Sequence, residues 1–190
     1  MSQSIIVVGA FCETIELCEL CGYEIVGVVD NTIKVSFMGY SILGNDEDMI
    51  VLSDSFNKTP LVIAPDSSLV KKKLYHFYKD VGYDFETVIS PRAFISKSAI
   101  IGKGSIIQSG VNLSSNVKIG RFCKLNFNCN IMHDVSVGDY TIVAPNAVVL
   151  GRSRIGESVY VGANSTIEHD TVIESEARIQ TASYICNHNE

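Results

Sequence analysis

At 190 residues and 46% hydrophobic composition, the chain is long enough for one large or two small domains with a buried core. Its 21 acidic against 15 basic residues give a net charge of −6, and no basic block offsets it, which argues against nucleic-acid binding. No apolar run approaches the roughly 20 residues of a membrane span, and Met1-Ser2-Gln3-Ser4 has no basic leader or cleavage pattern, so a cytoplasmic protein is expected.

Residues 4–9, Ser-Ile-Ile-Val-Val-Gly, form a short apolar run ending in glycine, the pattern of a buried parallel strand. Over residues 12–21, Ile15, Leu17, Cys18, Leu20 and Cys21 recur at helical spacing, with Gly22 as the stop. A second strand covers residues 24–29 and ends at Asp30. Strand, helix, strand, with an acid about twenty positions after the first glycine, is the opening of a dinucleotide-type fold. The loop Gly9-Ala10-Phe11-Cys12-Glu13 has one glycine where a phosphate-cradling loop has two or three. Residues 60–64 read as another buried strand. Residues 67–82 read as a basic amphipathic helix whose Lys71-Lys72-Lys73 run is a solvated face. The expected organisation is a Rossmann-like domain over residues 1–85 and a second domain over residues 86–190, joined near residues 83–88.

From Ile89 to Ile185 every sixth residue is Ile, Leu or Val, and two residues before each stands a small or β-branched partner. A helix would scatter a period of six around its circumference, whereas short strands joined by tight bends return it to one interior wall. Ile101-Gly102, Ile119-Gly120, Val137-Gly138 and Ile155-Gly156 recur at eighteen, so three hexapeptides make one coil and the second domain is a parallel β-helix of between five and six coils. Each coil rises by roughly 4.8 Å, so residues eighteen apart stack. The outward positions Val88, Ile106, Ile142 and Tyr160, broken by Lys124, offer an apolar face for subunit packing.

Six cysteines supply no zinc pattern. Cys18 and Cys21 form a CxxC on the first helix with no second pair, and Cys123 and Cys129 fill small inward slots. Reduced packing cysteines are expected.

A prism packed with aliphatic side chains keeps its chemistry outside, at the bends or between subunits. One bend reads Met132-His133-Asp134. Imidazole takes up protons near neutral pH, and a neighbouring carboxylate orients the ring and stabilises its cation. The plain alternative is a solvent-exposed turn dipeptide. His169-Asp170 stands in the same column two coils on, roughly 10 Å away by the strand spacing. A shared metal would need three protein ligands, and the remaining histidines, His76 and His188, lie in the first domain and the tail.

The stretch Asn126-Phe127-Asn128-Cys129-Asn130-Ile131-Met132-His133-Asp134, with Val137-Gly138-Asp139-Tyr140, Ala144-Pro145-Asn146-Ala147, Gly151, Ile155-Gly156 and Val161-Gly162-Ala163, closely resembles the sialic-acid O-acetyltransferase and PglD-type nucleotide-aminosugar N-acetyltransferase family. The resemblance extends to Gly39-Tyr40-Ser41-Ile42-Leu43-Gly44 and Val88-Ile89-Ser90-Pro91-Arg92-Ala93. It implies a left-handed β-helix and a homotrimer with acetyl-CoA as cosubstrate in the groove between neighbouring β-helices. It also implies a nucleotide-activated sugar held partly by the first domain, and no metal. Carried over by position, His133 is the general base and Asp134 its orienting carboxylate. Gly151 donates its N–H to the thioester carbonyl, Ala163 meets the pantetheine arm, and Asn126 lies near acceptor and thioester. Gly9, Ala10, Phe11, Asp30 and Asn31 match the segments that hold the nucleotide.

Three features depart from the family pattern. The glycine loop is reduced, Ile142 stands where some members carry a second histidine, and a Gly-x-Pro-Ala-Lys-like ending is missing after Ile185, so the sequence is short or this member caps its coil differently. The leading expectation is acetyl transfer from acetyl-CoA to the amino group of a nucleotide-linked aminosugar, by direct attack on the thioester, since no Cys or Ser stands beside His133 as a nucleophile. O-acetylation of the sialic-acid type is one alternative, and a non-catalytic trimeric scaffold or sensor is another. A third is a metal lyase of the γ-carbonic-anhydrase type, whose third histidine would stand about five residues after His169, where this chain has Glu174.

Overall fold

The computed structural model describes residues 3–56 and 59–186, so Met1, Ser2 and the tail residue His188 lie outside the described residues. The chain divides into two compact units, Met1–Val88 and Ile89–Glu190.

In the first unit, the opening apolar run is strand β1 (Ser4–Val8), buried from Ile5 onward. Helix α1 (Cys12–Leu20) turns Thr14, Ile15, Leu17 and Cys18 inward, and β2 (Glu24–Val29) returns parallel to β1. A short hairpin of β3 (Ser36–Phe37) and β4 (Tyr40–Gly44) follows, its second strand lying parallel to β2. Two one-turn helices, α2 (Asp48–Val51) and α3 (Ser53–Phe56), lead to β5 (Leu61–Ile63), which pairs parallel with β1. Helix α4 (Ser68–Val81) begins where the Ser67 hydroxyl accepts from the Val70 N–H and ends at Gly82, whose φ of 102° suits a residue without a Cβ.

The expectation of a Rossmann-like first domain does not hold. The sheet order is β3-β4-β2-β1-β5, and its edge pair β3–β4 is antiparallel. A hairpin strand, not a helix, occupies the connection from β2 to β4, so the two βαβαβ halves that define the doubly wound fold are not built. The acid that completed the sequence signature is otherwise engaged. Asp30 Oδ1 accepts from the Thr32 N–H, the Thr32 hydroxyl and the Ile33 N–H, and Oδ2 accepts from the Ala10 N–H, all at 2.7–3.0 Å. Three of these bonds converge on Oδ1 and one reaches Oδ2, so the carboxylate is largely committed to shaping its own loop.

What dominates the chain is the second unit, a left-handed parallel β-helix. Two-residue strands recur every six residues from Val88–Ile89 to Tyr184–Ile185 and stack into three parallel sheets of six, six and five strands. Register is eighteen throughout, as in Asn112↔Asn130↔Val148↔Thr166↔Tyr184. From Gly104 to Ala182 every sixth residue has a positive φ, and many of these corner residues are Asn or Asp, which tolerate the left-handed region better than other side chains. The sixfold aliphatics form the core, with Cys123 and Cys129 buried among them as free thiols. The small inward slots have a second use. Ser105, Thr141, Ser153 and Ser165 hydroxyls each donate to a corner carbonyl fifteen residues on, at 2.7–2.9 Å, so the buried oxygens are satisfied. The outward positions Val88, Ile106, Lys124 and Ile142 are buried.

Candidate active site

His133 and Asp134 occupy the corner after the strand Asn130–Ile131. Asp134 has φ 61°, so part of the reason for its residue type is conformational. Its side chain does more than satisfy the bend. His133 Nδ1 lies 2.9 Å from Asp134 Oδ2, and Asp134 Oδ1 accepts from Asn116 Nδ2 at 3.0 Å, one coil below. The His133 bond first, and the Asn116 bond after it, hold the Asp134 carboxyl below the usual carboxylate range, with a smaller contribution from the Arg152 cation.

One coil above is Gly151. A Cβ built there would meet His133 Cε1 at 2.6 Å and Nε2 at 2.7 Å, so the imidazole lies directly over bare backbone and any side chain at 151 would displace it. The N–H groups on either side, of Leu150 and Arg152, donate to Ile167 O and His133 O. Among the described residues, the Gly151 N–H donates to none. Imidazole Nε2 and an unused backbone donor therefore share one edge of the prism.

Asn126 and Ala163 are on a different edge. They belong to the bend one strand earlier, where Asn146 N–H donates to Phe127 O and Asn164 N–H to Pro145 O, each at 3.0 Å. Asn126 is buried, with Nδ2 donating to Val143 O at 3.0 Å. A single chain thus brings His133, Asp134 and Gly151 together and leaves Asn126 and Ala163 apart from them.

The second dipeptide has another electrostatic setting. His169 Nδ1 approaches Asp170 Oδ2 at 2.9 Å, but Arg152 grips both oxygens of Asp170 at 2.7 Å, and this ion pair holds that carboxyl well below the usual range. His169 Nε2 lies 3.5 Å from Glu168 Oε1. Among the described residues there is no group of three or more His, Cys, Asp and Glu side chains disposed to hold a metal ion.

In the first unit, Gly9, Phe11, Asp30 and Asn31 line one cavity of about 410 Å³, together with Val8, Pro65, Lys73 and Leu74 among others. Ala10 contributes through its N–H to Asp30. Partial burial pushes the Asp30 carboxyl up, but the N–H and hydroxyl donors outweigh it and bring it down to about 2. Gly9 has φ 90°, and a Cβ there would lie 2.9 Å from the Pro65 ring, so the reduced loop keeps its glycine where space and backbone both demand it. The wall beyond Asn31 is braced by Asp46, which accepts from Asn31 Nδ2 at 2.8 Å and from the Tyr78 hydroxyl at 2.5 Å. The lysine run is not uniformly solvated: Lys71 is fully buried, and Lys73 lines the cavity. Sequence reasoning missed Asn116, Arg152, Asp46 and Lys73. For the first two the eighteen-residue spacing from Asp134 was the available signal.

Fold and corner geometry define a hexapeptide-repeat protein with a His–Asp pair on an outer edge. Residues 89–189 match the family described as the GMPPB C-terminal domain, and the chain belongs to that family. No curated protein matches the sequence. Among solved structures, the acetyltransferase domain of PglB from Neisseria gonorrhoeae FA1090, in complex with acetyl coenzyme A, is 21% identical with a TM-score of 0.87, covering 98% of this chain and 92% of its own. A histidine-to-asparagine mutant of perosamine N-acetyltransferase from Caulobacter crescentus, in complex with CoA and GDP-perosamine, is 19% identical with a TM-score of 0.90, covering 98% and 89%. WeeI from Acinetobacter baumannii AYE is 25% identical with a TM-score of 0.81, covering 97% and 92%. Two of these three are acetyltransferases by name, so the resemblance carried by the sequence motifs holds at the level of the fold.

Proposed function

We propose that the chain transfers the acetyl group of acetyl-CoA to the amino group of a nucleotide-linked aminosugar. The observation that carries this reading is the His133 ring seated over Gly151, its Nδ1 tied to Asp134 and its Nε2 beside an unused backbone N–H. That arrangement suits direct acyl transfer. The amine nitrogen attacks the thioester carbonyl carbon while His133 Nε2 takes its proton. Negative charge gathers on the carbonyl oxygen, where the Gly151 N–H offers a fixed donor. Collapse of the tetrahedral species expels the CoA thiolate, which receives the proton from the imidazolium. Asp134 keeps the ring in the tautomer with hydrogen on Nδ1 and stabilises its cation.

Asn126 and Ala163 are assigned to acceptor and pantetheine. Because they stand on another edge of the same prism, the reading requires a second copy to bring its edge against His133, and a homotrimer satisfies this by closed symmetry. The cavity of the first unit, with Gly9, Ala10, Phe11, Asp30 and Asn31 at one side and the Lys73 ammonium for a phosphate, is assigned to the nucleotide. The solved neighbours that hold acetyl-CoA, or CoA with GDP-perosamine, support the choice of ligands. A coupled thiol-release assay against UDP-, GDP- and dTDP-linked aminosugars tests it. Release of CoA with at least one acceptor is expected; no release with any would favour a scaffold or sensor.

A further inference from the structure

We infer that Asn116 is a positioning residue for the His133 base, acting through Asp134. The inference rests on the acyl-transfer reading of His133. Asn116 is seventeen residues before His133 in sequence but stacks beneath Asp134, and its Nδ2 donates to Asp134 Oδ1 at 3.0 Å. The other oxygen, Oδ2, meets His133 Nδ1 at 2.9 Å. Asn116 is itself fixed, with φ 59° at the corner and its N–H donating to the Ser98 hydroxyl at 2.9 Å. An amide held from below thus sets the plane of the carboxylate that sets the plane of the imidazole.

The chain contains its own comparison. At the other dipeptide, Asp170 is held from below by the Arg152 guanidinium through two bonds of 2.7 Å. A cation there pairs directly with the carboxylate's charge. Asn116 holds Asp134 with a neutral donor, so the negative charge stays available to an imidazolium at His133. The charged group above Asp134 is Arg152, which is already paired with Asp170. The two corners thus differ in the residue one coil below the aspartate, amide in one and guanidinium in the other, and His169 alone has a carboxylate, Glu168, beside its Nε2 among the described residues.

Two variants suit the left-handed corner without strain. Asn116→Gly removes the donor, and Asn116→Asp keeps the shape while placing a like charge against Asp134. Histidine-selective 15N spectra of the full-length protein report the ring tautomer without any acceptor sugar, with the His133 signal assigned by its loss in His133→Gln. Wild type is expected to show His133 with hydrogen on Nδ1, and both variants to lose that preference while thermal unfolding stays within a few degrees. Where an acceptor is in hand, kcat is expected to fall by about three- to tenfold in Asn116→Gly, the scale of one lost hydrogen bond. Unchanged His133 tautomer signals in both variants would overturn the inference. Full turnover in His133→Gln would instead overturn the acyl-transfer reading, so the two failures are separable.

Discussion

Seen at single residues, the candidate site depends on what is missing as much as on what is present. Gly151 leaves room for the His133 ring, and a methyl group there would intrude to 2.6 Å from Cε1. Gly151→Ala is therefore expected to keep the fold, because no positive φ is involved, and to lower kcat/KM by about tenfold or more by shifting the base. Thiol-release kinetics beside a thermal melt measure both; an unchanged kcat/KM would separate the ring position from function. Asp134 has a different logic. Its position at a left-handed corner would favour Asp or Asn for the backbone alone, so Asp134→Asn isolates the charge. Turnover is expected to fall with unfolding almost unaffected, whereas unchanged turnover would leave only the conformational role.

Among the elements, the β-helix was legible because one side-chain period controls everything that matters there. The sixfold aliphatics predicted the core, and the eighteen-residue spacing predicted that His133 stacks under Gly151. Leu125 is fully buried in that core, and Leu125→Ala is expected to cost about 2–5 kcal/mol by denaturant unfolding. A loss below about 1 kcal/mol would mean the coil collapses around the gap. The first unit was read less well, for a physical reason. Its strand–helix–strand opening and the acid at Asp30 satisfy a local pattern, but sheet order is fixed by the β3–β4 hairpin, whose residues carry no periodic signal. Hydrogen-bond use of Asp30 was equally invisible, since its partners Thr32 and Ile33 are recruited by loop geometry. Asp30 has a depressed pKa of about 2, so its stabilisation is present above the ordinary carboxylate value of 3.8 and disappears as pH falls toward 2. Asn at this position should lower the urea midpoint at neutral pH, with the gap to wild type closing on acidification. A gap independent of pH would contradict that assignment.

Across the whole molecule, the division of the site between two edges of one prism makes a statement about assembly. In the proposed site, His133 and Gly151 on one edge are served by Ala163 from the other edge of a second copy, so two different inactive chains should complement each other. Co-expression of His133→Ala with Ala163→Trp is expected to restore part of the turnover that each lacks alone, and failure to restore any would place the whole site within one copy. No helix among the described residues is long and apolar enough to cross a membrane. The family match spans the β-helix alone, and the solved neighbours extend the likeness over nearly the full length. The most direct measurement is steady-state acetyl transfer by His133→Ala to the aminosugar nucleotide that wild type accepts, alongside calorimetric binding of acetyl-CoA. Loss of most turnover with acetyl-CoA binding retained is the predicted result, and near-normal turnover would contradict the assignment of His133 as the base.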